Sequence, residues 1–514
     1  MTPVLNTLDY LVITGYLAAM LALGASFARR QKSLEEYFHA SGSMPWWAVA
    51  ISMMATLLSP ISYLSTVGWI FGRDSRYIFG GALASLAFTF LAAAIWIPLW
   101  DRLRIFSIYE FLEQRYHPTV RVVGAVLFII STLFWLSTAV VNATMAFSAV
   151  SGLDPRLCMV GIAVLGTGYT MLGGMRAVIW TDVAQFAVFV LGYLAIGVML
   201  LIAFDGQPME IYRLASQQIS EETGYPHTQL FSCELSLAIE ATIWSVMFLH
   251  FFQAIALGSN QLHVQRMHAV GSRRGMFKAL IGSSVILLLF SLVALVVAWG
   301  FVAFYENHPR LSTSIDHPDK VLPVFVVQQL PVVIRGVMMA GVMAALMSSF
   351  DSGINSMSSV LMNDLYEPYQ NPGKAESHRV RVARIVTVLL GLLLLAFSLW
   401  QYEHSSETAL QRLFKLSNVV TAPLPSFFLL GIFSRRVNTP GVLCGAIAGI
   451  LCALALNGFP GVMDPWILQV NWMWVAGLST IVNMAVGYAA SFLFAPPIPD
   501  QLKHLTLRDA ASST

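Results

Sequence analysis

The sequence predicts an all-α polytopic membrane protein with about thirteen transmembrane helices, on the basis of its composition and its hydrophobic pattern. Of the 514 residues, 57% are hydrophobic and only 11% are charged, whereas soluble globular proteins carry about 25% charged residues. Apolar runs of about 20 residues recur along the whole chain, and a helix of that length crosses a bilayer. The net charge of +2 gives no general attraction for nucleic acid, and the apolar runs make the lipid bilayer the expected surrounding.

The apolar runs define the expected spans in chain order. They are roughly 8–28, 46–70, 77–100, 122–150, 157–173, 178–204, 236–258, 277–304, 331–362, 383–401, 410–433, 440–457 and 470–494. No basic segment precedes the first run, so we interpret it as a retained helix and not as a signal peptide. With the N-terminus outside, most of the 29 Lys and Arg residues fall in cytoplasmic loops. This bias predicts a plasma (inner) membrane protein with an outside N-terminus and a cytoplasmic C-terminus.

Two spans contain residues that interrupt a helix. Pro60 lies near the middle of the second span, and Gly258 ends the seventh span before a polar stretch. Each could mark an ordinary kink, but backbone groups freed at membrane depth also line cavities and bind ions. The interrupted spans are five apart, as expected for two five-helix repeats that each begin with a broken helix.

This spacing divides the chain into five predicted segments. They are an extra N-terminal transmembrane helix and cytoplasmic loop (1–45), a first inverted repeat (46–205), an extracellular loop (206–235), a second inverted repeat (236–436), and two C-terminal helices with a short cytoplasmic tail (437–514).

The ninth span is rich in small and hydroxylated residues and includes a carboxylate. Ser348, Ser349 and Ser352 surround Asp351 in the segment AALMSSFDSG. Small residues and serines also let membrane helices pack closely, which explains part of the pattern. It does not explain Asp351, because a carboxylate inside a span is costly and is usually functional. Hydroxyl and carboxylate oxygens are hard ligands that suit an alkali cation.

Two further acidic residues lie at span ends. Asp182 opens the sixth span, where it could cap the helix or act as a functional carboxylate, with Arg176 close enough in sequence to pair with it. Glu240 lies near the outer end of the seventh span, and it is expected either to contact substrate or to pair with a basic residue of an outer vestibule.

These features together resemble the sodium:solute symporter family, whose members carry sugars, proline, pantothenate, iodide, sialic acid and short carboxylates. The most specific match is the segment YTMLGGMRA from Tyr169 to Ala177. Further matching segments are Trp180-Thr-Asp182 with Gln185, Gln265-Arg266, the serine-rich part of the ninth span, and LLGIFSRRVNTPG from Leu429 to Gly441. The resemblance covers nearly the whole chain.

The resemblance implies a LeuT-like fold with a core of ten helices in two inverted repeats. It also implies a sodium site built from the carbonyls of Ala55, Leu58 and Ala345 and the hydroxyls of Ser348 and Ser349. A second ion in some members implies a site here at Asp182, Ser348, Asp351 and Ser352. An acid at Asp351, where a serine is common, suits a second sodium or a transported proton. The alternative is that Asp351 faces a hydrated inner vestibule.

The resemblance also implies a substrate pocket at the broken helices. Its candidate residues are Thr56, Ser59, Ser62, Tyr63, Gln253 and Thr421. Sugar carriers place an acid where this chain has Gly80, Gly81 and Ala82. The run ATLLSPISYL from Ala55 to Leu64 is more similar to the branch that carries organic anions, carboxylates and vitamins, so an organic anion or carboxylate is favoured over a neutral solute.

Other functional classes fit the sequence less well. A channel would need a repeated filter motif, and an enzyme would need a clustered nucleophile and base; the sequence suggests neither. His263 and His268 fall in a basic stretch that we expect to be a solvated loop. A non-transporting sensor built on this fold would need a signalling domain, for which the tail is short. Proton-coupled symport through Asp182 and Asp351 is the alternative to sodium-coupled symport of a small solute.

Overall fold

The computed structural model describes residues 5–28, 32–103, 105–312, 315, 317–369, 375–404, 423–457, 470–503 and 505–506. The helices up to the middle of the chain are α1 (Thr7–Ser26), α2 (Leu34–His39), α3 (Trp46–Leu57), α4 (Pro60–Gly72), α5 (Arg76–Leu103), α6 (Tyr109–Arg115), α7 (Pro118–Ser151), α8 (Pro155–Ala203) and α9 (Pro208–Gln217). The later helices are α10 (Ile243–Ala256), α11 (Gln261–His268), α12 (Arg273–Asn307), α13 (Pro309–Ser312), α14 (Val321–Gln329), α15 (Ile334–Val360), α16 (Glu376–His404), α17 (Pro423–Phe433), α18 (Thr439–Asn457) and α19 (Trp472–Ala490).

The helices are long and apolar enough for a protein that crosses the membrane many times. Within the described residues, nine helices qualify as spans, and two bent helix pairs bring the number to 11 if each pair is one span. Most of the predicted eleventh span, 410–433, lies outside the described residues, which include only its last part, α17. The number thirteen and the inverted repeats therefore stay predictions, whereas the all-helical membrane fold is confirmed.

The second span is broken where Pro60 predicted it. α3 ends at Leu57, α4 begins at Pro60, and the two are bent by 59°. Proline has no N–H and clashes with the preceding turn, so it fits the first position of a new helix. Leu58 leaves the helical conformation with ψ of 73°. The carbonyls at the end of α3 are thereby released from helical hydrogen bonding.

The seventh span is also broken, but the position of the break and the structure beyond it differ from the prediction. α10 and α11 are bent by 57°, and the chain turns at Asn260, whose side chain accepts a 2.9 Å hydrogen bond from the N–H of Leu262 and so caps α11. Gly258 serves close packing instead, because a Cβ there would lie 2.0 Å from Cδ2 of Trp96. The expected loop around His263 is the helix α11, and His263 is buried.

The 49-residue helix α8 turns back on itself at Gly174. Gly174 has φ of 57°, a conformation that glycine adopts without steric cost. The side chains of Tyr169 and Gln185 lie 3.5 Å apart between Oη and Nε2. In a straight helix, 16 residues would separate them by about 24 Å. α8 therefore supplies the two expected spans, the fifth and the sixth.

The helix α15 occupies the centre of the protein. Its residues from Met338 to Val360 are all buried, and it packs against α1, α3, α7 and α8. A helix surrounded by protein can carry polar side chains, because neighbouring helices satisfy their hydrogen bonds.

Candidate functional site

Two serines of α15 face the broken end of α3. The hydroxyl of Ser348 lies within hydrogen-bond distance of the carbonyls of Ala55 (3.0 Å) and Ala345 (3.1 Å). The hydroxyl of Ser349 lies 3.2 Å from the carbonyl of Thr56 and 3.3 Å from that of Ala345. Hard oxygen atoms from two helices therefore converge in a buried place. Such a set of oxygens can hold a sodium ion in place of the hydroxyl hydrogen bonds.

The structure brings four of the five sequence-predicted sodium ligands together. The fifth, Leu58, is the residue at which the chain leaves α3, and its N–H bonds to the carbonyl of Met54 at 3.0 Å. Thr56 was expected in the substrate pocket, but its carbonyl lies beside Ser349. Its hydroxyl lies 3.0 Å from that of Ser352. The carbonyl and the hydroxyl of Thr56 therefore both contact α15.

A buried arginine lies against the carboxylate of Asp182. Ser52 of α3 donates a 2.5 Å hydrogen bond to Oδ2 of Asp182 and accepts a 2.9 Å bond from Nε of Arg266. Nη2 of Arg266 is 3.5 Å from the same carboxylate oxygen. Asp182, Arg266 and Ser52 are fully buried. This contact joins α8, α11 and α3 inside the helix bundle.

Asp351 is the centre of a second group of polar contacts. Its Oδ2 accepts a 2.7 Å hydrogen bond from the hydroxyl of Tyr169 and lies 3.4 Å from that of Thr181. Its Oδ1 is 3.3 Å from the hydroxyl of Ser352, which also contacts Arg266. One continuous network therefore links Asp351 to Asp182. If all three charged groups are ionised, two carboxylates and one guanidinium leave one uncompensated negative charge.

For each of these two acids the structure contradicts one of the alternatives that the sequence left open, and it also contradicts the suggested pairing with Arg176. Asp182 does not cap a helix, because it lies eight residues beyond the turn at Gly174, within α8. Arg176 does not pair with it but bonds to Glu36 at 2.9 Å, since the turn directs the Arg176 side chain toward α2. Asp351 does not face a hydrated vestibule, because its exposed fraction is 0%.

Sequence reasoning missed several members of the network. Arg266 was counted as a basic loop residue, although α11 continues the broken span and buries it. The signal that this stretch is buried was the recurrence of the apolar residues Leu262, Val264 and Met267 around it. Tyr16 of α1 is also buried beside the side chain of Gln185, and among the described residues its hydroxyl has no partner in regular hydrogen-bond geometry.

The structure does not bring the predicted substrate-binding residues together in one pocket. Tyr63 is buried, its hydroxyl lies 3.5 Å from the sulfur of Met338, and its carbonyl accepts a 2.6 Å bond from Tyr193. Ser59 is buried at the start of α4, whereas Gln253 is exposed on α10. Thr421 lies outside the described residues.

Ser62 is the remaining candidate, and its position differs from that of Tyr63. Its hydroxyl lies 3.4 Å from the carbonyl of Leu57, at the break, and is exposed. Leu57 is itself 43% exposed. Tyr63, by contrast, is buried in the helix bundle. The accessible part of the break is therefore the side formed by Leu57 and Ser62.

Glu240 pairs with a basic residue, which is one of its two expected roles. Nη1 of Arg73, just after α4, lies 2.8 Å from Oε2 of Glu240. Nε of Arg73 also donates a 2.7 Å bond to Glu222 in the loop before α10. Burial raises the pKa of Glu240 above its ordinary value, although Arg73 acts in the opposite direction. The pair connects the end of α4 with the segment just before α10.

Comparison with known proteins identifies one family and similar sequences within it. The model of the sodium:solute symporter family matches residues 37–449. The chain is 28% identical over 490 residues to the sodium/sialic acid symporter NanT of Aliivibrio fischeri, covering 95% of this chain and 94% of that protein.

Two solved structures have a similar fold. One is a substrate-bound, outward-open Na⁺-coupled sialic acid symporter with a TM-score of 0.85 and 27% identity, covering 96% of this chain and 99% of that one. The other is a transporter of the nucleobase-cation-symport-1 family, with a TM-score of 0.57 and 12% identity, covering 92% and 98%. The second likeness concerns the fold alone.

Proposed function

The chain belongs to the sodium:solute symporter family, and we propose that it uses sodium bound between α3 and α15 to carry a small organic anion across the plasma membrane. As a family member it is a multi-pass, sodium-coupled symporter. The proposal adds the residues that bind the ion, the class of solute and the orientation, with the N-terminus outside and the C-terminus cytoplasmic.

The observation that carries the proposal is the contact of Ser348 and Ser349 with the carbonyls at the end of α3. A sodium ion held by these oxygens would tie the broken helix to α15. Its binding would then favour one arrangement of the break, and the solute site at the break would depend on the ion. Because such coupling is a binding free energy, solute must strengthen sodium binding by the same factor. Entry of each charge gains about 2.3 kcal/mol per 100 mV of membrane potential.

We propose a second cation at the network of Asp182, Asp351 and Ser352, with Ser348 close by on the same helix. The uncompensated negative charge of this network supports the proposal, because an unpaired charge in a low-dielectric interior is costly. One cation bound there would neutralise the network. Arg266 supplies part of the compensation permanently, so one added charge is enough.

An anionic solute is supported by the relatives and by the charges at the site. The relative NanT is named as a sialic acid symporter, and sialic acid is a carboxylate. Arg266 is engaged with Asp182 and Ser52 and is fully buried, so it is not available to the solute. Sodium at the end of α3 would instead provide a positive charge beside the accessible side of the break.

The test is uptake by proteoliposomes containing the purified protein. A panel of labelled carboxylates, vitamins, amino acids and sugars is offered under an inward sodium gradient and, separately, an inward proton gradient. Ser348→Ala and Ser349→Ala are compared with Ser359→Ala, a buried serine further along α15 whose hydroxyl has no partner among the described residues.

We expect sodium-driven uptake of a carboxylate by the wild type and by Ser359→Ala. We expect the half-saturating sodium concentration to rise by about tenfold or more in the other two variants, since about 1.4 kcal/mol of lost binding is a factor of ten. Uptake driven by protons alone would overturn the sodium assignment. Preference for a neutral solute would overturn only the anion assignment.

A further inference from the structure

The helix α1 lies outside the predicted ten-helix core, yet its buried face is directed at the ion-binding helices. The buried residues of α1 are Asp9, Ile13, Tyr16, Met20 and Gly24, which repeat every three or four positions and so form one face. This face packs against α15 and α8. It includes two polar residues, Asp9 and Tyr16, that a helix facing only lipid would not need.

The carboxylate of Asp9 caps the start of α15 from another helix. Its Oδ1 accepts hydrogen bonds from the N–H groups of Val333 (2.8 Å) and Gly336 (3.1 Å). The N-cap residue of α15 is Val333, which provides no side-chain cap. The free N–H groups of a buried helix start need acceptors, and a residue 324 positions earlier in the chain supplies one.

The backbone at this junction has an unusual conformation. Val333 has φ of 74°, which is rare for a β-branched residue and is kept only where surrounding contacts require it. The bond from its N–H to Asp9 is such a contact. The other oxygen of Asp9 accepts a 3.1 Å bond from the N–H of Asn6 at the start of α1. One carboxylate therefore faces the positive ends of two helix dipoles.

The two helices also approach very closely here. A Cβ on Gly336 would lie 2.9 Å from Cα of Asp9, so only glycine fits without moving α1. Asp9 and Gly336 together fix the axial position and the rotation of α15 relative to its neighbours. A slip of one residue would move the helix by about 1.5 Å and rotate it by about 100°.

We propose that Asp9 is a positioning residue for sodium binding: by capping α15, it sets the register at which Ser348 and Ser349 meet the end of α3. Ser348 lies 12 residues beyond Gly336 on the same continuous helix, and a binding site requires its ligands to be held to within about 0.5 Å. The proposal rests on the proposed sodium site.

The contact can be perturbed from either side, with a matched control. Asp9→Ala removes the cap, Asp9→Asn keeps an acceptor oxygen without the charge, and Gly336→Ala pushes the two helices apart while Asp9 stays intact. Gly15→Ala is the control, because Gly15 is on the exposed face of α1 and a Cβ there meets nothing within 4 Å.

The experiment measures sodium activation of uptake in proteoliposomes and the shift in melting temperature that sodium causes in the purified protein. Bound ligand raises the melting temperature according to its affinity, so the sodium midpoint separates ion binding from general stability. We expect Asp9→Ala and Gly336→Ala to raise both midpoints about fivefold or more. Asp9→Asn should lie within about twofold of the wild type, Gly15→Ala should match it, and solute affinity at saturating sodium should be kept.

Two outcomes would contradict the role proposed for Asp9. If Asp9→Ala lowers the melting temperature at every sodium concentration but leaves the sodium midpoint unchanged, Asp9 is only structural and the proposal is wrong. A wild type without any sodium response would contradict the proposed function itself, whereas a responsive wild type with unaltered variants would contradict only the role of Asp9.

Discussion

The hydroxyl of Tyr169 donates a 2.7 Å hydrogen bond to the carboxylate of Asp351, although the two residues are 182 positions apart in the chain. The turn at Gly174 brings Tyr169 toward the second half of α8, and α15 brings Asp351 to the same place. The contacts around Asp351 are therefore formed by three helix segments, the two halves of α8 and α15, that meet only in the folded protein.

The charge of Asp351 can be tested by its effect on ion stoichiometry. Asp351→Asn removes the uncompensated negative charge, so we expect the Hill coefficient for sodium to fall from about two toward one, with fewer charges moved per solute. Flux ratios and reversal potentials in proteoliposomes measure this. Tyr169→Phe is the control, because it removes a hydrogen bond and keeps the charge. An unchanged ratio of one ion per solute in both wild type and Asp351→Asn would rule out the second cation.

The pairing of Arg266 with Asp182 predicts an asymmetry between single and double variants. Arg266→Met leaves two buried carboxylates without their cation, and loss of one partner of a buried pair costs about 3–5 kcal/mol. We expect a large fall in thermal stability. Adding Asp182→Asn should restore much of it, because the stranded charge is then removed.

The control for this pair is the exposed contact between Arg213 and Glu210 in α9. Arg213→Ala should leave the melting temperature unchanged, since exposed ion pairs contribute little. The interpretation fails if the double variant is as unstable as Arg266→Met alone.

The contact of Gly258 with Trp96 predicts a specific steric effect at the second break. In Gly258→Ala the new methyl group would overlap the Trp96 ring, whose Nε1 donates a 2.9 Å bond to the carbonyl of Ile255. Such overpacking costs about 1–3 kcal/mol, and we expect reduced uptake with a lower melting temperature. Gly161→Ala, where a Cβ meets nothing within 4 Å, should behave as the wild type. Equal uptake by both variants would show that Trp96 can move freely.

His39 predicts how stability changes with pH. Burial lowers the pKa of His39 from 6.5 to about 3, with His268 adding to the shift and the carbonyl of Phe106 opposing it. The unfolded chain therefore binds a proton that the folded protein does not, and stability falls as the pH decreases from about 6.5 toward 3. At pH 5.5 the loss is about 1.4 kcal/mol.

Melting curves of the purified protein at pH 7.5 and 5.5 measure this effect. We expect the difference between the two pH values to shrink in His39→Gln and to stay as in the wild type in His404→Gln, which changes an exposed residue. An undiminished difference in His39→Gln would assign the pH dependence to other groups.

The parts of this structure that were predictable are those that follow from local sequence. Pro60 predicts a break in the helix because proline lacks an N–H. Asp351 and the serines around it predict a helix that is surrounded by protein, because such residues are costly in lipid. The role of Arg266 was not predictable in this way. A basic residue after an apolar run is also typical of a cytoplasmic loop, and only the unexpected helix α11 places its guanidinium beside Asp182.

Side-chain direction was the other feature that local sequence does not specify. Thr56 and Tyr63 lie on opposite sides of the break, and the resemblance placed both in a substrate pocket. The 59° bend between α3 and α4 changes which neighbours each one meets, and both contact α15 or α8. The angle of a broken helix depends on the helices packed around it, so the sequence of the break alone does not determine it.

The burial of α15 from Met338 to Val360 has a consequence for how the protein is made. Its span is less apolar than that of α12, and it carries Asp351 and several serines. A segment of this kind partitions weakly into lipid by itself, because each central carboxylate opposes insertion by about 2.5–3.5 kcal/mol. During synthesis, α15 should therefore enter the bilayer efficiently only when α1, α3 and α8 are already present to receive it. The residues proposed to bind the ion would thus also set an order of membrane insertion, with α1, α3 and α8 acting as an internal scaffold for α15.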